Sequence, residues 1–428
     1  MKPKHELRWV RLDNAAKIYP ASRTRRWSNV FRLSATLTEP VDTEILQSAL
    51  DATVPRFPTI AARLRRGVFW YYLQQLQEAP KVLQEYSYPL AYMHPGEARK
   101  CAFRVIVHKN RIAAEFFHSL TDGTGGLIFL KTMVAEYLQQ KYGVRIPNTC
   151  GILDRQEEPR KEEMEDSFLQ YAGPVNASRR ETDAWRFQGA REPDERLNLS
   201  CFQLNVKEVL QQAHGYGTTL TGFLCAVLMK AILELQAEKV PNIRRRKAVK
   251  ILIPVNLRNV FPSKSLRNFA LYTIPELDPR LGDYDFREIC RIVKLKMDTD
   301  ITPKQMSRMI ATNVSSERLM AVRIMPLPIK NLVMKAVFNA VGERKSFMSM
   351  SNLGAVQLPE EMKPYLSRMD FILGAQATAP HNCGVVSFGD TLYMNFIRNI
   401  QETDLERHVW QVLQALGLSA TVQSNQEA

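Results

Sequence analysis

The sequence has few cysteines and no long apolar run, and both shortages limit what it can be. Its 428 residues include six cysteines, none in a CxxC arrangement. We therefore expect no disulfide framework and no site of paired cysteines, but reduced, packed thiols in a cytoplasmic protein. Two uncharged stretches, residues 215–229 and 371–389, do not suit a membrane span. The first is too short, and the second is interrupted by proline, asparagine and glycine.

Acidic residues are fewer than basic ones, 44 against 58, which gives a net charge of +14 with neutral histidines. Such an excess suits nucleic acid, an anionic membrane surface, or anionic ligands and partners. The sequence contains no nucleic-acid-binding motif, so a nucleic acid partner is not expected. The densest cluster, Arg244-Arg245-Arg246-Lys247, is predicted to be a solvated loop.

The length and the 45% of hydrophobic residues suffice for a large core and two domains. Residues 148–200 contain a charge run followed by glycines and prolines, which predicts a surface crossover between two halves. The aromatic run at residues 69–72 is predicted to be a strand packed in the core.

Residues 101–143 contain the most informative pattern. Alternating apolar residues predict a hairpin over residues 103–117 with a turn at Lys109-Asn110, and the spacing of residues 127–142 predicts an amphipathic helix. The phrase HSLTDG lies between them at residues 118–123, and further glycines follow in what is predicted to be a glycine-rich loop. His118, at the end of a strand and beside backbone that a ligand can approach, is a candidate general base; a structural histidine is the alternative.

The spacing of His118, Asp122 and Gly123 resembles the HxxxDG motif of the CoA-dependent acyltransferase superfamily. Its members include chloramphenicol acetyltransferase, condensation domains of peptide synthetases, wax ester synthases and alcohol acetyltransferases. The resemblance implies an α+β fold, a mixed-sheet α/β sandwich, with two chloramphenicol acetyltransferase-like domains and an active-site tunnel between them. The predicted domains are residues 1–175 and 201–428, joined by a linker at residues 176–200.

A second phrase, at residues 248–277, resembles the superfamily segment in which a strand leads into an arginine and then an Asn-Phe pair. The resemblance implies a bidentate pair between Asp122 and Arg258 that fixes two chain segments together. Arg56 and Arg63 are alternative partners for Asp122, because other branches draw the arginine from the first half. The same segment supplies the candidate substrate- or cofactor-binding residues Ser263, Lys264, Arg267 and Asn268.

A third phrase, SNLG at residues 351–354, resembles that of alcohol acetyltransferases and wax ester synthases. Charge develops on the carbonyl oxygen only in the transition state of acyl transfer, so a donor placed there would favour the reaction. Ser351 is the candidate donor and Asn352 the second choice; a simple Ser-Asn turn is the alternative. His381 could also enter the tunnel from a loop.

The resemblance implies an enzyme that moves an acyl group, acetyl being expected, from a CoA thioester to an alcohol or amine. Neutral His118 would act as general base, without an acyl-enzyme. The plant-type DFGWG phrase is absent and Phe117 stands where condensation domains and wax ester synthases usually carry a second histidine, so a bacterial alcohol acetyltransferase-like enzyme is favoured. The alternatives are a condensation-type enzyme served by an acidic acyl carrier protein, and a non-catalytic binding module. We expect a monomer with acyl-CoA as co-substrate, no bound cofactor and no metal site.

Overall fold

The computed structural model of the chain describes residues 9–23, 29–174, 182–193, 196–337, 345–375 and 379–426. The strands are β1 (Trp9–Arg11), β2 (Val30–Leu37), β3 (Ala62–Arg66), β4 (Tyr71–Gln75), β5 (Leu83–Gln84), β6 (Phe103–His108), β7 (Arg111–Phe117), β8 (Asn198–Asn205), β9 (Val249–Asn256), β10 (Ala270–Thr273), β11 (Glu276–Leu277), β12 (Met348–Ala355), β13 (Leu366–Ile372), β14 (His381–Phe388), β15 (Thr391–Arg398) and β16 (Thr421–Ser424). The helices are α1 (Ile18–Ser22), α2 (Thr43–Thr53), α3 (Pro95–Lys100), α4 (Gly123–Tyr142), α5 (Lys161–Met164), α6 (Val206–Gly215), α7 (Leu220–Lys239), α8 (Phe286–Asp300), α9 (Pro303–Arg318), α10 (Met320–Ile324), α11 (Leu327–Val337) and α12 (Asp404–Ala415).

The predicted hairpin is the middle of the N-terminal sheet, whose strand order is β13-β2-β7-β6-β5. Strands β6 and β7 pair antiparallel up to His108 and Arg111, so the turn lies at Lys109-Asn110 as predicted. Helices α2 and α4 pack together, and α4 also packs against β2 and β7. The end of β7 therefore delivers His118 beside the first turn of α4.

Helix α4 begins earlier than the sequence pattern predicted. Asp122 is its N-cap and Gly123 its first residue, so the glycines are the first helical turn and not a loop. A Cβ at Gly125 would lie only 2.2 Å from the carbonyl oxygen of Leu266, which explains why a residue without a side chain stands there. The close approach of Leu266 joins this turn to the second half of the chain.

The C-terminal sheet is mixed and has the strand order β10-β9-β12-β14-β15-β8-β16. Strand β12 runs parallel to β9 and β14, whereas β14, β15 and β8 are antiparallel neighbours. Helix α7, whose N-cap is Thr219, packs on this sheet with α8 and α12. By length and composition α7 could cross a membrane, but 67% of its most apolar window is buried inside the protein, as in a core helix.

Strand β13 comes from the second half of the chain but pairs with β2 in the N-terminal sheet. Its buried residues belong to the N-terminal core together with those of β2, β7 and α4. A division at residues 175 and 201 therefore does not separate the two cores completely, although each half has its own sheet and helices.

Two sequence predictions about surface and core hold only in part. The crossover at residues 148–200 is not only surface, because Phe168 is fully buried in a small third core with Phe269. The aromatic run is divided: Phe69 is 43% exposed and lies in the turn between β3 and β4, whereas Tyr71 belongs to β4 and packs against the N-terminal core. Strands β3 and β4 form a separate small sheet with β1.

Other expectations match the structure. All six cysteines are free thiols, and Cys201, Cys225, Cys290 and Cys383 are buried. Burial raises the pKa of the Cys201 thiol to about 12, which keeps it protonated and unreactive. The basic cluster at residues 244–247 is mostly exposed, in keeping with a solvated loop.

Candidate active site

His118 follows the last residue of β7 and is half-buried between aromatic rings. Its main-chain N–H donates to the carbonyl oxygen of Asn29 at 2.8 Å. The Tyr19 ring stacks on the imidazole, with centroids 4.5 Å apart and planes 19° apart, and Phe31 meets it edge-on at 5.1 Å. The ring is thus held by aromatic packing on more than one side.

Asn268 fixes the hydrogen-bonding state of that ring. Its amide Nδ2 donates to the carbonyl oxygen of His118 at 2.9 Å and to Oδ2 of Asp13 at 3.3 Å. The amide oxygen therefore faces His118 Nδ1, which lies 3.0 Å away and must carry the proton of that hydrogen bond. In this tautomer Nε2 is the unprotonated nitrogen, which is the state that a general base needs.

The buried carboxylate of Asp13 holds Asn268 by accepting a hydrogen bond from its amide Nδ2. Its Oδ1 accepts from the main-chain N–H of Ala16 at 2.7 Å, and its Oδ2 lies 3.7 Å from Nε of Arg267. Burial raises the pKa of Asp13 more than Arg267 lowers it. The guanidinium of Arg267 also donates to the carbonyl oxygens of Met164 and Arg11.

These contacts correct two predicted roles. Arg267 is only 3% exposed and its guanidinium donates to protein carbonyl groups, so it has a structural role and not the predicted role in binding a substrate or cofactor. Asn268 is equally buried and binds His118, not a substrate. The sequence predicted that these residues were important, but it gave no sign of their common partner Asp13.

Burial also sets the charge of His118. It lowers the pKa of the imidazole below the ordinary 6.5, and this effect exceeds the opposite effects of the hydrogen bonds and of the carboxylate of Asp122. The ring is therefore neutral at pH 7. A neutral, oriented imidazole can accept a proton from a hydroxyl or amine.

The carboxylate of Asp122 does not contact His118 but joins three chain segments. Its Oδ1 accepts from the N–H of Gly125 at 3.1 Å and caps α4. Its Oδ2 accepts from Nη1 of Arg258 at 2.7 Å and from the N–H of Phe269 at 2.9 Å. The pair with Arg258 is thus a single contact and not the bidentate pair that was predicted.

Arg258 uses its other donors on the loop that carries Asn268. Its Nε and Nη2 donate to the carbonyl oxygen of Ser265 at 2.9 and 2.7 Å, and Nη2 also donates to that of Arg267. The two alternative partners of Asp122 lie elsewhere. Arg56 forms a bidentate pair with Glu163, and Arg63 donates to Gln74.

Ser263 and Lys264 lie on the outer side of the same loop. The Ser263 hydroxyl lies 2.9 Å from that of Ser167 and accepts from the N–H of Ser265. Lys264 is exposed and 3.5 Å from Glu162. A role for either in binding a substrate stays a prediction.

Strands β9 and β12 diverge around the first turn of α4. They pair only at Met348–Ile251 and Ser349–Leu252, although both continue further. Beyond this point Asn256 of β9 donates to the Thr124 hydroxyl at 3.2 Å, and a Cβ at Gly123 would lie 2.7 Å from Leu353 of β12. The start of α4, next to His118, therefore lies between the ends of the two strands.

The SNLG phrase belongs to strand β12 and is not a simple turn. Asn352 donates to the Thr221 hydroxyl at 3.0 Å and accepts from the N–H of Gly354 at 2.8 Å, so its side chain is engaged. Ser351 is half-buried, and its hydroxyl has no hydrogen-bond partner within the described part of the chain. Of the two candidates, Ser351 therefore has the less engaged side chain.

His381 does not enter the site from a loop, contrary to the prediction. It is the first residue of β14, fully buried, with its ring stacked on Phe347 at 5.8 Å and tilted against Phe187 at 6.3 Å. Burial lowers its pKa to about 3. It is a neutral core histidine.

A cleft of about 400 Å³, lined by Trp185, Arg186, Arg245 and Lys247 among others, lies near the start of β9, at the end of the strand opposite Asn256. Among the described ranges, histidine, cysteine and acidic residues form no group of three that could hold a metal ion.

Sequence comparison alone finds no relatives: no protein-family model and no curated protein matches the chain. Solved structures do match. The trichothecene 15-O-acetyltransferase of Fusarium sporotrichioides aligns with a TM-score of 0.61 and 10% identity over 95% of this chain and 94% of that chain. The condensation domain of the monacolin K polyketide synthase aligns with a TM-score of 0.59 and 12% identity over 96% and 97%. The fold is that of condensation domains and CoA-dependent acyltransferases.

A third similar structure is the starter condensation domain of rhizomide synthetase in complex with C8-CoA and Leu-SNAC. It has a TM-score of 0.60 and 12% identity over 95% of this chain and 93% of that chain. These matches confirm the predicted fold of two similar halves.

Tyr19 and Asp13, which shape the surroundings of His118, were missed from the sequence because no spacing links them to the HxxxDG phrase.

Proposed function

We propose that the protein transfers an acyl group from a CoA thioester to an alcohol or amine acceptor, with His118 as general base. The observation that carries this proposal is the hydrogen bond from His118 Nδ1 to Asn268, which leaves Nε2 as the basic nitrogen. The fold, shared with an acetyltransferase and with condensation domains, supports the same reaction class.

The reaction begins with an acceptor O–H or N–H that donates to His118 Nε2. Nε2 takes this proton as the acceptor oxygen or nitrogen attacks the thioester carbonyl carbon. The carbonyl oxygen becomes an oxyanion, for which the hydroxyl of Ser351 is the candidate donor. The C–S bond then breaks, and the thiolate receives the proton from Nε2, which restores neutral His118.

No covalent acyl-enzyme is needed in this sequence. Donor and acceptor meet directly, and positioning both reactants can contribute about 7 kcal/mol or more to lowering the barrier. Asp122 and Arg258 act indirectly, because they join the start of α4 to the loop that presents Asn268.

A second candidate function is a condensation-type reaction with a carrier-bound thioester. The net charge of +14 favours it, since a basic surface attracts an acidic carrier protein and accelerates association at low salt. Acyl-CoA remains our first choice of donor.

The two donors can be separated by following free thiol release. Purified protein is incubated with acyl-CoA thioesters of increasing chain length, each with and without a panel of alcohols and amines. Acceptor-dependent thiol release supports the proposal. If a loaded acyl carrier protein supports turnover and none of the acyl-CoA thioesters does, the condensation-type reaction would replace the proposed one. Tight binding without any turnover would leave only a binding module.

A further inference from the structure

Helix α11 is an amphipathic helix that faces the wrong way for a core helix. Two of its polar residues point toward the protein. Lys330 is 1% exposed, donates to the carbonyl oxygen of Phe69 at 2.7 Å and lies over the Trp70 ring. Asn331 donates to the Tyr71 hydroxyl at 2.9 Å. In contrast, Leu332 is 71% exposed. The helix thus uses hydrogen bonds to attach itself and leaves apolar side chains outside.

These apolar side chains share one side of the helix and continue onto its neighbours. Residues 329, 332 and 333 have the spacing of one helical face. Helix α10 precedes it, and the β3–β4 turn adjoins its first residue, because the N–H of Leu327 donates to the carbonyl oxygen of Val68. We call the whole surface the apolar face; its exposed large residues are Val68, Phe69, Met320, Ile324, Ile329, Leu332 and Val333.

The charges on this surface have one sign. Residues 319–342 contain Arg323, Lys330 and Lys335 but no acidic residue. Of these three cations, Arg323 and Lys335 are exposed. A fourth cation, Arg66, is exposed at the end of β3, just before the β3–β4 turn. An exposed apolar surface with cations at its border is typical of a segment that lies in the interface of an anionic membrane.

The apolar face is also close to the candidate site. Helix α11 packs against α1, and α1 carries the Tyr19 ring that stacks on His118. One short helix therefore separates this surface from the catalytic histidine.

We propose that the apolar face docks the protein on a lipid surface with negatively charged headgroups. Its apolar side chains insert among the acyl chains, and Arg323 and Lys335 contact the headgroups. Docking would let a lipid-soluble donor or acceptor reach His118 from the membrane. This consequence rests on the acyl transfer proposed above.

Charge decides between this occupant and a second copy of the chain. In a symmetric dimer formed through the apolar face, both copies would bring the same cations, Arg323 and Lys335, to the interface, and no acidic residue of residues 319–342 could neutralise them. An anionic lipid surface satisfies both the apolar and the cationic groups.

The test is co-sedimentation of the full chain with vesicles of phosphatidylcholine alone and of phosphatidylcholine with one third phosphatidylglycerol. The double variant Leu332→Ser/Val333→Ser removes apolar groups, and Arg323→Glu/Lys335→Glu reverses the charges. Leu281→Ser is the matched control, because Leu281 is highly exposed but lies in the turn before α8. His118→Ala separates docking from chemistry and should bind vesicles like the wild type.

We expect the wild type and Leu281→Ser to bind the anionic vesicles. Both double variants should bind on the order of tenfold or more weakly while their melting temperatures stay unchanged. Equal binding by the Leu332→Ser/Val333→Ser variant would overturn the proposal, since attraction by charge alone would then suffice. No binding to either vesicle would overturn it as well. If the wild type is a dimer and the Leu332→Ser/Val333→Ser variant is a monomer, the apolar face would be assigned to contact with a second copy of the chain.

Discussion

Asn268 holds His118 by both of its polar groups: the amide Nδ2 donates to the His118 carbonyl oxygen, and the amide oxygen accepts from the His118 Nδ1. The two residues are 150 positions apart and come from opposite halves of the chain. The orientation of the candidate base therefore depends on how the two halves fit together. This dependence gives Asn268 a positioning role that can be measured.

Replacing Asn268 by alanine should lower kcat while KM changes little, because the substrate still binds but the ring loses its orientation. The loss should be smaller than the roughly 100- to 10,000-fold expected for removing the base itself. Asn268→Asp keeps an acceptor for Nδ1 and adds a negative charge, which raises the pKa of His118. As the pH is lowered, kcat/KM of the Asn268→Asp variant should therefore begin to decline at a higher pH than that of the wild type. An unchanged pH profile in the Asn268→Asp variant would contradict the assigned contact.

The pH dependence of the wild-type enzyme follows from the lowered pKa of His118. The neutral imidazole is the active form, so the midpoint of the acid-side decline in kcat/KM should lie below pH 6.5. The measurement is kcat/KM between pH 5 and 8 in a buffer series of constant ionic strength. A midpoint above pH 6.5 would mean that a different group carries the reaction.

Asp122→Ala should destabilise the protein by about 3–5 kcal/mol, because it leaves the Arg258 guanidinium without its carboxylate and removes the cap of α4. Urea unfolding measures this loss. Lys264→Ala is the control, since Lys264 belongs to an exposed ion pair with Glu162 and should cost at most about 1 kcal/mol. Full stability with lost activity in Asp122→Ala would instead make Asp122 a direct participant in the reaction.

His381 should make the stability of the protein depend on pH. Its pKa is about 3 in the folded protein, and both ring nitrogens lack a partner among the described residues. The unfolded chain takes up a proton below about pH 6.5 and the folded protein does not, so stability is present above pH 6.5 and declines as the pH falls toward 3. The slope from this group should approach about 1.4 kcal/mol per pH unit. Urea unfolding at pH 7, 6 and 5 should show a steeper decline for the wild type than for His381→Phe; equal slopes would contradict this.

Local patterns predicted the elements around the site well. The alternation of β6 and β7 was recognised because neighbouring residues determine it. The start of α4 was placed four residues late, since glycine is a poor helix former and only the approach of Leu266 explains Gly125.

Contacts between distant residues could not be predicted from local patterns. Arg267 and Asn268 stand in a loop and look available to a ligand, but Asp13 and His118 cover them in the folded chain. The aromatic run was predicted as one core strand, because no local signal separates the exposed Phe69 of the turn from Tyr71 of β4.

The most direct test of the central claim compares His118→Ala with His108→Ala in the thiol-release assay. Both histidines belong to the same hairpin region, but His108 is exposed at the far end of β6. His118→Ala should lose about 100- to 10,000-fold in kcat with little change in melting temperature, while His108→Ala should retain wild-type activity. Turnover by His118→Ala within a few-fold of the wild type would contradict it.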